Sequence, residues 1–140
     1  MEFYDVEADI NATPDEVWAI LVNSADYTSW DSGVAKVEGT IADGSKIKVF
    51  SEISPGRAFP VKVALDRPGG RMTWTGGMPL GLFKGVRTFT VSSGDGGSHF
   101  HMREEFSGPL LKLIWKSMPD LSGSFQQFAD GLKAEAESGT

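Results

Sequence analysis

The sequence contains no cysteine, and that absence removes disulfides, thiolate metal sites and thiol nucleophiles together. A basic excess is also missing: 13 Lys and Arg stand against 19 Asp and Glu, for a net charge of −6 and a pI near 4.8. Proteins that bind nucleic acid concentrate cations to displace counterions, so nucleic acid is not an expected partner. No apolar run approaches the roughly 18 residues of a membrane span. The acidic amino-terminal stretch lacks the basic and apolar regions of a signal peptide. The expectation is a soluble, cytoplasmic protein without integral membrane contact. A length of 140 residues suits one domain with one core, and neither repeats nor low-complexity segments divide it.

Several catalytic and cofactor settings are absent as well. Ser and Asp are plentiful, but there is no Gly-x-Ser-x-Gly nucleophile elbow. The glycine pairs fall in turns, outside the strand-to-helix context of a phosphate cradle. The two histidines, His99 and His101, lie two apart on a strand without a third ligand at a recognised spacing, so they read as solvated residues of an outer face. Neither a metal nor a cofactor is expected.

What is present begins at the carboxyl-terminal end. From Gly108 to Glu137, apolar residues fall at Leu110, Ile114, Met118, Leu121, Phe125, Phe128, Leu132 and Ala136, steps of four and three that form one stripe. The opposite face carries Lys112, Lys116, Asp120, Gln126, Gln127, Asp130 and Lys133. This predicts one long amphipathic helix, kinked or restarted at Met118 to Pro119, because an inner proline lacks the N–H the helix needs.

At the other end, Tyr4, Val6, Ala8 and Ile10 alternate with acidic residues as a half-covered strand does. Thr13-Pro14-Asp15-Glu16 predicts a helix start with a capping box, a helix ending by Asn23, and a second short helical turn over Asp26 to Trp30. Strands then follow at about 34–41, 46–53, 59–66, 71–76, 85–92 and 98–107. Asp43-Gly44, Pro55-Gly56, Pro68-Gly69-Gly70 and Gly94-Asp95-Gly96-Gly97 supply the turns, and such short loops imply an antiparallel meander. Only Gly76 to Lys84 is too long and too apolar for a hairpin. Its Met78, Leu80, Leu82 and Phe83 mark either a lid or a contact surface.

The order strand, two short helices, six strands, long helix resembles the helix-grip fold of the START and Bet v 1-like superfamily, in its polyketide cyclase/dehydrase and lipid-transport (SRPBCC) branch. The resemblance covers the whole chain and rests on Ile10 to Trp18, on Tyr27-Thr28-Ser29-Trp30-Asp31, on Gly85-Val86-Arg87-Thr88-Phe89, and on Arg103 to Leu110. It implies an α+β protein: a curved antiparallel seven-stranded sheet wrapped around the long carboxyl-terminal helix, with two short helices after strand one. It also implies a cavity between sheet and helix that, in members, holds lipids, polyketides, hormones or other apolar molecules.

Strand parity says what faces inward. Ile47, Val49, Val61, Val63, Leu65, Met72 and Trp74 oppose Lys46, Lys48, Lys62 and Arg71. A turn at 94–97 pairs Val91 with Phe100, Phe89 with Met102 and Arg87 with Glu104. The apolar pairs fix the inner face, which brings Arg87 and Glu104 inside the cup, where neither is easily buried alone. Their functional reading is a polar anchor: Arg87 fixes a carbonyl, carboxylate or phenolate oxygen while Glu104 orients it or moves a proton. The alternative is an ion pair that sets strand register and touches no ligand. Tyr27 reads as pocket and Trp30 as core.

The expected ligand set is therefore Tyr27, Val49, Val63, Met72, Trp74, Phe83, Arg87, Phe89, Met102, Glu104, Leu121, Phe125 and Phe128, and the expected partner is a small hydrophobic molecule. Two rival functions use the same fold. One is a cyclase, dehydratase or hydrolase with Arg87 and Glu104 as its catalytic candidates; the other is an interaction protein like the co-chaperone members, with a small cavity.

Overall fold

The computed structural model describes residues 2–138, with Ser54 and Pro55 described by their backbone only. Strands β1 (Glu2–Ile10), β2 (Val34–Glu38), β3 (Lys46–Ser51), β4 (Ser54–Asp66), β5 (Arg71–Gly77), β6 (Lys84–Gly94) and β7 (Gly97–Ser107) form one sheet. All neighbours are antiparallel, in the order β1-β7-β6-β5-β4-β3-β2. Helix α1 (Pro14–Leu21) follows β1, and α2 (Leu111–Trp115) and α3 (Ser122–Ser138) follow β7. A curled antiparallel sheet that grips its carboxyl-terminal helix is the helix-grip arrangement.

Local chemistry accounts for the ends of these elements. Thr13 caps α1: its Oγ1 accepts from the Glu16 N–H at 3.2 Å, and Glu16 Oε1 accepts from the Thr13 N–H at 3.1 Å, closing the reciprocal box. The β6–β7 hairpin turns through Asp95 and Gly96, with Gly96 at φ +79°. Its register pairs Ser93 with Ser98, Val91 with Phe100, Phe89 with Met102 and Arg87 with Glu104, as parity indicates.

Four features differ from the sequence reading. The carboxyl-terminal helix restarts across Pro119, the second of the two expected outcomes, but the interruption is wider than Met118 to Pro119 and runs from Lys116 to Leu121. Asp120 Oδ1 accepts from the Ser122 N–H at 2.9 Å and Tyr4 Oη from the Leu121 N–H at 3.1 Å, so the restarted helix has its first donors satisfied from outside. The second short helix is a single 3-10 turn at Ser24–Asp26, with Tyr27 to Asp31 in turns. Pro55-Gly56 lies inside β4, and the chain reverses at Glu52 and Ile53 instead. Strand β2 stops at Glu38, before Gly39 at φ +105°, a conformation glycine adopts readily and other residues do not.

The core lies between the concave face and α3. The Phe128 ring is within 6.2 Å of the rings of Tyr27, Trp30, Phe89 and Phe100. Helix α3 is seated flush on the turn before β2, because a Cβ at Gly131 would overlap the Asp31 carbonyl oxygen. Lys133 Nζ donates to the Asp9 carbonyl at 2.6 Å, and the Asn11 N–H donates to Glu137 Oε2 at 2.9 Å. The carboxyl-terminal half of α3 is thereby tied to the end of β1.

Candidate functional site

Arg87 on β6 and Glu104 on β7 are cross-strand partners and meet on the concave face. Arg87 Nε donates to Glu104 Oε1 at 2.7 Å, with the side chains 22% and 17% exposed. The guanidinium carbon lies 4.7 Å from the ring centroid of Phe125 on α3, within the range of a cation–π contact. Gly85 makes room for the carboxylate, since a Cβ there would stand 3.0 Å from Glu104 Oε2. The pair uses Nε alone, so among the described residues both Nη groups of Arg87 are without a protein acceptor.

Trp74 is the cross-strand neighbour of Arg87 on β5. Its indole Nε1 is buried without a hydrogen-bond partner, as is that of Trp30. The remaining polar groups of the concave face serve the backbone. Tyr27 Oη donates to the Leu21 carbonyl at 2.6 Å, Ser98 Oγ to the Ala12 carbonyl at 2.7 Å, and Tyr4 Oη accepts from Leu121. Burial pushes the Tyr27 phenol well above its usual range, only partly opposed by the charge of Arg87.

The thirteen residues expected to line a pocket separate into two groups. Val63, Met72, Phe89 and Met102 have no accessible surface, and Trp74, Phe125 and Phe128 have almost none. Tyr27 belongs with them; it is core, and so is Trp30. Val49, Phe83, Arg87, Glu104 and Leu121 keep accessible surface. The deep half of the cup is closely packed, and the accessible surface among the expected residues lies toward Arg87 and Glu104. Two hollows of about 430 and 370 Å³ lie elsewhere, one at Asn11 to Pro14 with Gly96 and Gly97, the other between Trp30, Asp31 and the last turns of α3.

The 76–84 loop leaves most of its apolar side chains uncovered. Met78, Leu80 and Leu82 are exposed, Leu80 at 96%, and only Phe83 turns inward, its ring 6.0 Å from that of Phe106. The histidines are on the outer face as expected but are not bare: His99 contacts Asp9 at 2.8 Å and Glu7 at 3.0 Å, and His101 contacts Asp5 at 2.7 Å. Sequence reasoning missed the structural part played by Tyr4, the space Gly85 provides and the orphan donor of Trp74. The parity that placed Arg87 inside places Tyr4 and Trp74 there too, but parity carries no information on which polar atoms find partners.

The sequence matches the family model for polyketide cyclase / dehydrase and lipid transport over residues 3–137. No curated protein sequence matches it significantly. Solved structures share the fold at low identity. Protein MLL2253 from Mesorhizobium loti superposes with a TM-score of 0.73 at 17% identity, over 99% of this chain and 98% of that one. The di-domain ARO/CYC BexL of the BE-7585A biosynthetic pathway gives 0.74 at 13%, over 98% of this chain and 47% of that one. Ara h 8.0201 gives 0.67 at 16%, over 98% of both. With the match running along nearly its whole length, the chain belongs to the polyketide cyclase/dehydrase and lipid transport family.

Proposed function

We propose that the protein binds a small apolar molecule carrying an oxygen acceptor, seated at the open end of the cup with that oxygen on Arg87. The observation that carries this is the state of the Arg87 guanidinium: on a face otherwise apolar, it is held by Glu104 and Phe125 through Nε and its ring contact, with both Nη groups still available. These donors are partly open to solvent at the rim of the apolar face, and a carbonyl, carboxylate or phenolate can take the place of water on them. Val49, Phe83, Leu121 and Phe125 supply the apolar surround. The deep residues Tyr27, Val63, Met72, Phe89, Met102 and Phe128 meet a ligand only when α3 moves away from the sheet, and Trp74 then contributes its N–H.

Binding is favoured over turnover because Tyr27 and Ser98 give their hydroxyl protons to backbone carbonyls and the Tyr4 oxygen accepts the Leu121 N–H. Glu104 is the one carboxylate among the inward-facing positions of β3 to β7, and Arg87 holds it. The test uses 8-anilinonaphthalene-1-sulfonate, an apolar anion, as a fluorescent probe, with dodecanoate as competitor. A single saturable site that dodecanoate displaces, and that the double variant Arg87→Met with Glu104→Leu loses, supports the reading. Unchanged binding by a folded double variant refutes it.

A further inference from the structure

The 76–84 loop and the segment from Ser107 to Pro119 form one surface of unusual composition. Together they hold Lys84, Lys112 and Lys116 and not one Asp or Glu, in a chain whose net charge is −6. All three lysines are exposed. Leu80 is 96% exposed and Leu113 71%, with Met78 and Leu82 also open to solvent. The two segments are joined: the Leu110 N–H donates to the Leu82 carbonyl at 3.0 Å, and a Cβ at Gly108 would stand 2.6 Å from that same oxygen. Behind them an aromatic stack runs from Phe83 through Phe106 to Trp115 at centroid spacings of 6.0 and 5.5 Å. The exposed leucines therefore stand on a braced platform.

Folding does not explain Leu80. It is the one non-glycine residue at positive φ among those described, at φ 62°, a region that costs a bulky side chain roughly 1–2 kcal/mol. Full exposure of its side chain returns nothing to the folded state. A leucine on a strained turn tip, a second on the neighbouring helix and a ring of lysines match the two attractions of a peripheral membrane site: apolar insertion at the level of the lipid headgroups, and cations against anionic lipid. Charge selects this occupant over a second copy of the chain, because two such patches face to face would oppose six lysines.

We infer that this end of the molecule docks peripherally on an anionic bilayer surface, through Leu80 and Leu113 flanked by Lys84, Lys112 and Lys116. Docking requires no ligand in the cup, so it stands or falls separately from the proposed binding function. The same platform borders Phe83, one of the residues at the open end of the cup, and a docked molecule presents that opening to the lipid.

The experiment is co-sedimentation with vesicles of phosphatidylcholine alone or with 30% phosphatidylglycerol, at low salt and at 0.5 M NaCl. The wild type should sediment with anionic vesicles, far less with neutral ones, and be released by salt. One Lys near such a surface is worth about fivefold in affinity, so Lys84→Gln, Lys112→Gln and Lys116→Gln combined should weaken it on the order of a hundredfold. Leu80→Asn suits the left-handed backbone and should lower affinity about tenfold or more, and Leu113→Gln should do likewise. Circular dichroism verifies the fold of each variant. Failure of the wild type to bind anionic vesicles at low salt overturns the inference, as does unimpaired binding by the Leu80→Asn, Leu113→Gln double variant. Concentration-dependent dimerisation abolished by Leu80→Asn, without vesicle binding, would instead make the patch an interface between copies and also overturn it.

Discussion

The Arg87 guanidinium sits 4.7 Å from the Phe125 ring centroid while its Nε holds Glu104 at 2.7 Å, so a single side chain links β6, β7 and the first turn of α3. Arg87→Ala removes the cation from both contacts and strands a largely covered carboxylate. The loss in urea denaturation should be about 1–3 kcal/mol, toward the lower end because the pair is partly wet. Arg87→Met with Glu104→Leu should recover much of it. A neutral Arg87→Ala would show that the pairing contributes nothing to the fold.

Trp74→Phe should be far gentler than an ordinary large-to-small core change. It deletes the indole N–H that has no partner, relieving a penalty of about 1–3 kcal/mol while leaving a small void. The expected net change is under about 1 kcal/mol. A loss near 3 kcal/mol by equilibrium unfolding would mean that the N–H has an acceptor, such as a buried water.

Gly131→Ala should be severe, although alanine is the better helix former. The added methyl would overlap the Asp31 carbonyl oxygen, and backbone on both sides must part to admit it. A loss of about 3 kcal/mol or more is expected. Gly123→Ala on the same helix meets nothing within 4 Å and should gain about 0.5–1 kcal/mol, so the pair of variants separates packing from propensity.

Thr13→Ala opens the capping box and should cost about 1 kcal/mol. Thr13→Ser should restore most of it, which a thermal melt can resolve.

His99 is raised above its ordinary range by its hydrogen bonds to Asp9 and then Glu7. A raised folded-state value means that protonated His99 stabilises the fold at pH below the unfolded value of about 6.5. That contribution fades as pH climbs through the raised value. NMR titration of the imidazole should show the upward shift, and His99→Gln should flatten this part of the pH–stability profile. The effect should be small, because the cluster is exposed.

The sheet, its register and the inward place of Arg87 and Glu104 were legible because side-chain parity and a short Gly-rich turn leave one solution: slipping β6 by one residue would bury Thr88 and Thr90 and expose Phe89. The point at which the carboxyl-terminal helix restarts was harder to read than the break at Pro119. Its stripe continues through Leu121 in sequence, and only the Tyr4 hydroxyl and the Asp120 carboxylate, reached in three dimensions, make a fresh start at Ser122 favourable. The depth of the cup was not legible at all. Whether apolar walls enclose space or meet depends on how closely Phe128 approaches Phe89 and Phe100, which pattern does not encode.

The pairing of β1 with β7, Glu2 opposite Phe106 and Ile10 opposite Ser98, has a consequence during synthesis. Among the described residues β1 pairs with β7 alone, and β7 is synthesised some ninety residues after it, roughly 5 to 20 s later at ordinary elongation rates. Until then Val6 and Ile10 have no wall to pack against, and an unpaired strand edge is what invites wrong partners. The acidic alternation Asp5, Glu7, Asp9 along that strand keeps waiting copies apart, since like charges repel across any premature β1–β1 pairing. Those carboxylates later meet His99, His101 and Arg103 on β7, so one row of side chains protects the nascent strand and then selects its partner.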